Sequence, residues 1–373
     1  MQTEVVTIEA VSQKMAEIRR AAAIVDAGGL VAFPTETVYG IACRARTDSI
    51  NRLDDLKGRT AEKAYTLHIS QKTELGKYVP DLGIRARKLV AYAWPGPLTI
   101  VFDLDPQDIN KQRALLEKEV FESLYRNGSI GIRCPDNPIA SALLRETTDA
   151  VVAPSANLTG EPPAVDGAEV LAQLSGKIDL LLDAGPCKYK MSSTVVKIGK
   201  KGLHILRAGV YSQRRLHEIS KVKLLFLCTG NTCRSPMAEA IFRKYLAEKL
   251  GCRVDQLEQM GYKILSAGTI DVGGSRASPE ATRACTAKGI ELNAHRSRKL
   301  SEQLIRECDL VYAMCGTHRQ RVIDLNPDAA DKCLLLAGSD DIPDPIGQPQ
   351  EVYDRCADLI EQAVKKRVSE FKI

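Results

Sequence analysis

A thiol, a loop the size of a phosphate, an arginine and a helix start fall within one short run, Cys228-Thr229-Gly230-Asn231-Thr232-Cys233-Arg234-Ser235-Pro236. Backbone N–H groups at a helix start attract oxyanions, because they lack intrahelical partners and carry the positive end of the helix dipole. A cysteine beside such a nest, close to an arginine that keeps its charge, is suited to act as a thiolate nucleophile, which makes Cys228 the candidate. Arg234 stands six residues on. Its planar fork can grip two phosphoryl oxygens while sulfur attacks phosphorus, so its role is binding and stabilisation of transition-state charge.

These residues need a strand to deliver them and a helix to hold them. Val222-Lys223-Leu224-Leu225-Phe226-Leu227 is apolar enough for a buried strand, and Met237, Ile241, Tyr245, Leu246 and Leu250 recur at helical spacing. Ser235 is a good N-cap and Pro236 a good first helical residue, so strand, loop and helix are expected in that order, with the cap at Ser235.

A cysteine, five residues and Arg-Ser form the signature of cysteine-dependent phosphatases, and the segment resembles the low-molecular-weight protein tyrosine phosphatase family. The resemblance implies a phosphate loop made of Thr229, Gly230, Asn231, Thr232, Cys233 and Ser235, and a general acid in an Asp-Pro turn nearer the C-terminus. Asp344-Pro345-Ile346-Gly347 supplies that turn, with Asp341 as the alternative carboxylate. A separate acid is needed because neither thiolate nor phosphate can protonate the leaving group. Ser266-Ala267-Gly268-Thr269, Gly289-Ile290 and Ala294-His295 are similar to the family's internal landmarks, and His295 is implied to brace Asn231. No cofactor is implied for this half. Thr232 stands where tyrosine-directed members carry a branched aliphatic residue, and Ile346-Gly347 where they carry ring-sandwiching aromatics. Both features resemble the bacterial protein-arginine-phosphatase branch, and a threonine hydroxyl can hydrogen-bond a guanidinium or its attacking water. Phosphoarginine in proteins is therefore the expected substrate and phosphotyrosine the alternative. Cys233 can either form a reversible disulfide with Cys228 or pack.

The first half of the chain has its own constellation. A helical stretch from Ser12 to Ala27 and the apolar Leu30-Val31-Ala32-Phe33 lead into Pro34-Thr35-Glu36-Thr37-Val38-Tyr39-Gly40. Lys57, Arg59, Lys63 and His68 then follow within a dozen residues with only Glu62 among them, a spacing that suits a triphosphate. Together with Trp94-Pro95-Gly96-Pro97-Leu98-Thr99, Gly131-Ile132-Arg133-Cys134-Pro135, Ala153-Pro154-Ser155-Ala156-Asn157, Ser193-Thr194-Val195-Val196 and Leu206-Arg207, these strings resemble the YrdC-like family of threonylcarbamoyl-AMP synthases. The resemblance implies synthesis of threonylcarbamoyl-adenylate from L-threonine, bicarbonate and ATP, with release of pyrophosphate, as a step in tRNA modification. It also implies Mg2+ with the ATP. Lys57, Arg59, Lys63, Ser129, Ser155 and Arg207 match the ATP-binding set, and Thr35, His68, Arg133 and Ser193 the threonine-binding set. Arg133 is the residue implied for a carboxylate, and Asn157 for shaping its loop. Thr60 and Ala64 replace prolines that commonly stiffen the cation-bearing loop.

Over 373 residues, 44% of them hydrophobic, the chain has material for two cores. The expected organisation is an α/β domain on a twisted mixed sheet over residues 6–210, a linker over 211–221, and a phosphatase domain with a parallel sheet flanked by helices over 222–373, closing with a helix from Glu351 to Phe371. Eleven cysteines without paired spacing suggest neither a disulfide framework nor a metal site, and fit a reducing cytoplasm. No signal-like N-terminus or bilayer-length apolar run is seen, so no membrane partner is expected. The net charge of +5 is spread along the chain rather than gathered in a basic arm. An RNA-binding role for the first half is the rival reading, and the absence of RNA-reading aromatic strings weighs against it.

Overall fold

The computed structural model describes residues 2–58, 64–199 and 202–372. The chain divides into two units, one ending near Ile219 and the other beginning at Ser220. The stretch expected as a linker contains a helix, Gln213–Ser220. It forms because Leu216 is apolar and buried in the first unit's core, with Tyr211 and Ile219 packed against it.

In the first unit, ten strands among the described residues build one sheet: β1 (Glu4–Thr7), β2 (Val31–Phe33), β3 (Gly40–Arg44), β4 (Leu67–His68), β5 (Leu98–Asp103), β6 (Ser129–Arg133), β7 (Val151–Val152), β8 (Leu180–Asp183), β9 (Thr194–Gly199) and β10 (Gly202–Arg207). Their order is β1-β8-β2-β3-β7-β4-β6-β5-β9-β10. Both parallel and antiparallel pairs occur in it, as expected of a mixed sheet. Strand alternation sorts side chains onto two faces. Val31, Phe33 and Ala42 pack with Ile18 and Ala21 of the helix Met15–Asp26, whereas Ala32, Ile41 and Cys43 belong to a separate, larger core. In the middle of the sheet, His68 is in register with Arg133, and Arg133 with Thr99. Three polar side chains thus stand in one row across β4, β6 and β5. Their neighbours Leu67, Ile132 and Ile100, also in register, form the buried opposite face.

The second unit holds β11 (Val222–Cys228), β12 (Tyr262–Gly268), β13 (Leu310–Ala313) and β14 (Cys333–Leu335), all parallel, in the order β12-β11-β13-β14. Parallel strands are buried on both faces, and the continuous apolar run of β11 reflects that. Leu224, Phe226 and Cys228 face one core, shared with Met237 and Ile241 of the helix Arg234–Leu250 and Ile360 and Val364 of the helix Gln350–Glu370. Leu225 and Leu227 face the other, shared with Ile305 and Val322. The Phe226 ring lies 5.3 Å from that of Phe242 and 5.4 Å from that of Tyr312. Burial of a side chain of this size contributes roughly 2–3 kcal/mol, so β11 is anchored from both sides just before it delivers Cys228. Among the described residues no helix is long and apolar enough to cross a membrane.

Two candidate active sites

Cys228 ends β11, and the following loop wraps around its sulfur. The helix begins at Arg234 with Cys233 as its N-cap, so Ser235 and Pro236 lie inside the first turn rather than at the expected cap and first position. The physical reason is a better use for the Ser235 hydroxyl: it stands 3.0 Å from Cys228 Sγ and accepts a hydrogen bond from Asn231 Nδ2 at 2.9 Å. Pro236 is tolerated there because first-turn N–H groups have no helical partner to lose. The loop carbonyls are drawn outward. Those of Cys228, Thr229 and Thr232 accept from the N–H groups of Thr269, Ile270 and Ser278 at 3.0, 3.1 and 2.8 Å, and His295 Nε2 donates to the Asn231 carbonyl at 2.7 Å. The Asn231 N–H faces inward, where it donates to Cys228 Sγ at 3.2 Å.

Asn231 occupies the left-handed region with φ of 55°, a conformation its side chain must help to hold. Its amide donates to Ser235 and Ser266, both at 2.9 Å, and its Oδ1 accepts from Arg298 N–H at 2.9 Å. The His295 contact implied for Asn231 is therefore made to its main chain, while serines take its side chain. Gly268 packs against this loop so closely that a Cβ would fall 2.7 Å from the Thr229 carbonyl oxygen.

Arg234 is buried. Its Nη1 donates to the Ile342 carbonyl at 3.0 Å, and its Nη2 to the Asp344 carboxylate and, at 3.4 Å, to Thr229 Oγ1. Its Nε is buried without a partner, a donor left for an oxyanion. The structure thus brings Cys228, Arg234 and Asp344 together. Asp341 does different work: its Oδ1 accepts from Gly316 N–H at 2.9 Å, at the start of the helix Gly316–Leu325. All eleven cysteines are free. Cys233 packs, with its sulfur 3.5 Å from the Tyr353 hydroxyl and 3.6 Å from Ser278 Oγ. Burial and the Cys233 contact push the Tyr353 phenol up to about 12. Thr232 Oγ1 lies 3.6 Å from the same sulfur, Gly230 lies beside Thr232 and Val272, and Ile346 is largely exposed beyond Asp344.

In the first unit, Thr35, His68, Arg133, Ser155, Ser193 and Arg207 line one cavity with Tyr39 and Thr99. Burial, reinforced by the neighbouring Arg133 charge, lowers the His68 pKa to about 3, so the imidazole is neutral. Its Nδ1 sits 3.1 Å from the Thr66 carbonyl and must carry the proton. Nε2 is left as an acceptor. Arg133 Nη2 donates to Thr37 Oγ1 at 2.7 Å and to the buried Glu36 Oε1 at 2.8 Å, while its Nε is buried without a partner. The fork implied for a substrate carboxylate is thus partly committed to Glu36, which also accepts from Asp136 N–H at 3.1 Å. Thr35 Oγ1 donates to the Val38 carbonyl at 2.6 Å and accepts from the Thr37 and Val38 N–H groups. It holds its own turn. Arg207 Nη2 donates to both the carbonyl and the hydroxyl of Ser193 at 3.0 Å. Burial and repulsion from Arg133 both lower the Arg207 pKa, which leaves two cations facing one space.

Lys57 does not line this cavity. Its ammonium donates to the carbonyls of Ser155 and Asn157 and to Asn157 Oδ1, so its charge is applied through the loop it holds. Asn157 Nδ2 ties the same loop to the Leu158 and Glu161 carbonyls at 2.9 and 2.6 Å. Ser129 opens β6, four residues before Arg133, or roughly 13 Å at strand spacing. Only a ligand extended along that strand could touch both. Arg59 and Lys63 lie outside the described residues, as does Thr60.

Comparisons with known proteins divide the chain in the same way. The model of the family described as Telomere recombination matches residues 23–209, half of the chain. That of the family described as Low molecular weight phosphotyrosine protein phosphatase matches residues 223–372. Over 149 residues the chain is 37% identical to the Protein-arginine-phosphatase of Geobacillus stearothermophilus, covering 39% of this chain and 92% of that protein. The chain belongs to both families. It is 32% identical over 205 residues to the Threonylcarbamoyl-AMP synthase of Bacillus subtilis (strain 168), which is 54% of this chain and 56% of that relative, so it spans little more than half the relative's length. The crystal structure of P. abyssi Sua5 complexed with L-threonine has the same fold, with a TM-score of 0.51 at 19% identity, covering 72% of this chain and 92% of that one.

Two residues of these family sites escaped sequence reasoning. In the synthase-family unit, Glu36 sits inside the Pro34-to-Gly40 string, and its signal was being an acid at a strand end amid threonines. In the phosphatase-family unit, His318 lies 89 residues from the Thr229 it touches, with Nε2 3.0 Å from Thr229 Oγ1. No local pattern marks it.

Proposed function

We propose that the chain is a bifunctional enzyme. Its first unit makes threonylcarbamoyl-AMP from L-threonine, bicarbonate and ATP, releasing pyrophosphate, for modification of tRNA, and its second hydrolyses phosphoarginine in proteins. The observation that carries the second reading is the convergence of Cys228, Arg234 and Asp344 on one loop whose Asn231 N–H points at the sulfur. Cys228 sulfur attacks phosphorus, the S–P bond forms and the P–N bond breaks, and Asp344 gives its proton to the departing guanidine nitrogen. Asp344 then takes a proton from water as the water oxygen attacks phosphorus; the S–P bond breaks and inorganic phosphate leaves. The loop N–H groups and Arg234 hold the three non-bridging oxygens throughout. A threonine at position 232 of the phosphate loop, together with a non-aromatic Ile346 after the acid, supports a guanidinium rather than a ring as leaving group.

The row formed by His68, Arg133 and Thr99 carries the synthase reading. The threonine nitrogen attacks bicarbonate, water is lost, and an oxygen of the resulting carbamate attacks the α-phosphorus as pyrophosphate departs. This needs positioning and charge rather than a protein nucleophile. His68 Nε2 is placed to accept an N–H of the amino acid, Arg133 Nε to meet its carboxylate, and Arg207 to face the phosphates. Ser129 lies on the path of an extended nucleotide, Arg59 and Lys63 follow on the motif, and Mg2+ enters with the triphosphate as part of the substrate. L-threonine as ligand is supported by its presence in the P. abyssi Sua5 structure.

Purified protein given ATP, bicarbonate and L-threonine should release pyrophosphate only when threonine is present; no release from folded protein sinks this half. Phosphate release from phosphoarginine and phosphotyrosine peptides tests the other half. A preference for phosphotyrosine overturns the substrate, and activity surviving Cys228→Ser overturns the mechanism.

A further inference from the structure

We propose that His318 is a positioning residue of the phosphatase unit, fixing Arg234 through the hydroxyl of Thr229. The inference rests on the roles assigned above to Cys228, Arg234 and Asp344. Arg234 Nη1 is held by the Ile342 carbonyl and Nη2 by Asp344 and Thr229. Asp344 must leave this pairing to serve the leaving group and then water, so during turnover the Nη2 side of the fork depends on Thr229. A threonine hydroxyl is a rotor with one proton. Left alone beside a phosphoryl group, it could turn that proton to an oxygen, to its own backbone or to nothing.

The imidazole of His318 removes that freedom. It is buried, with Nε2 3.0 Å from Thr229 Oγ1 and Nδ1 3.0 Å from Cys315 Sγ. Arg234 can only donate, so Thr229 Oγ1 accepts from Nη2 and sends its own proton to His318 Nε2. The remaining ring proton, on Nδ1, then points to the Cys315 sulfur. Cys315 is fixed in turn as the N-cap of the helix Gly316–Leu325 and by Thr317 Oγ1 at 3.0 Å. The chain of donors runs one way, from guanidinium to helix end. It requires a neutral ring, and burial together with the nearby Arg234 charge lowers the His318 pKa to about 4. A charged imidazolium would donate from both nitrogens and could no longer accept the Thr229 proton.

The test uses the full chain and phosphate release from a phosphoarginine peptide. His318→Ala should lower kcat about tenfold, the worth of one well-placed hydrogen bond in a transition state, with KM changed far less. Glutamine can place an acceptor near the Nε2 position, so His318→Gln should recover most of the loss. Asparagine reaches only the Nδ1 position, so His318→Asn should not. The losses from His318→Ala and Thr229→Val should not add, because both act on the same contact. Equal defects in the Gln and Asn variants, or additive losses with Thr229→Val, overturn the proposal. Should His318→Ala fail to fold, the Gln and Asn comparison decides alone. If the wild-type chain ignores phosphoarginine but hydrolyses an aryl phosphate, the substrate reading fails and the His318 comparison is run on that substrate. If it hydrolyses neither, the phosphatase reading fails and the inference with it.

Discussion

His68 shows how burial sets chemistry at a single residue. Its ring is closed off from water and stands in register with Arg133, and both facts oppose a second proton. The folded pKa of about 3 lies below the ordinary histidine value of about 6.5. Above pH 6.5 the ring is neutral folded or unfolded, and it contributes nothing to the pH dependence of stability. Below that, the unfolded chain binds a proton that the folded chain refuses until about pH 3, so stability falls with falling pH across that window, by up to about 1.4 kcal/mol per pH unit. His68→Gln removes the effect. The urea midpoint of the first unit should therefore drop less between pH 7 and pH 5 in this variant than in the wild type, and an unchanged drop would show that His68 is protonated when folded. At the other site, Asp344→Asn should keep the Arg234 contact geometry yet lose the proton donor, with phosphate release from phosphoarginine lowered about 100-fold or more.

Elements act on the sites through close approach. At Gly268, the last residue of β12, a methyl group would sit 2.7 Å from Thr229 O, 2.9 Å from Gly230 C and 3.0 Å from Asn231 N. All three are backbone atoms that cannot swing aside, so Gly268→Ala should displace the phosphate loop and abolish phosphate release at a stability cost of about 1–3 kcal/mol. Gly209 has the matching place in the first unit, where a Cβ would lie 2.3 Å from Ser192 O and 2.5 Å from Ser193 C. Gly209→Ala should remove threonine-dependent pyrophosphate release instead. A variant of either kind with wild-type turnover would refute the packing argument. The same scale separates what could be read in the sequence from what could not. β11 and the final helix were legible, the helix at Gln350–Glu370 within one residue of its expected span, because each is long and periodic. The start of the Arg234 helix was not. Local capping preference points to Ser235, but contacts with Cys228 and Asn231 use that hydroxyl, and one of those partners becomes available only once the loop has closed. The Gln213–Ser220 helix was hidden by polar composition, since Leu216 and Ile219 are its only apolar residues. The cysteine, arginine and acid were legible from spacing and motif. Glu36 and His318 were not, because a buried partner is defined by the fold rather than by its neighbours in sequence.

At the scale of the molecule, the described residues of each site come from one unit. Thr35, His68, Arg133, Ser155, Ser193 and Arg207 are all drawn from residues before Ile219, and Cys228, Arg234, His295, His318 and Asp344 from residues after Ser220. Each unit also has cores of its own on the two faces of its sheet, so neither site relies on the other unit for the strands that aim it. Substitutions without shared partners have independent effects to within a few tenths of a kcal/mol. That corresponds to less than about twofold in rate. In the full chain, Cys228→Ser should therefore abolish phosphate release and leave threonine-dependent pyrophosphate release within about twofold of wild type. Arg133→Ala should do the reverse. Measuring both activities on the same preparations makes the comparison internal, and the urea midpoint of the substituted unit shows whether it still folds. A Cys228→Ser protein that still folds but makes pyrophosphate tenfold more slowly would mean that the state of the phosphate loop is felt at the first unit's cavity, and the two proposed activities would then have to be treated as one coupled system.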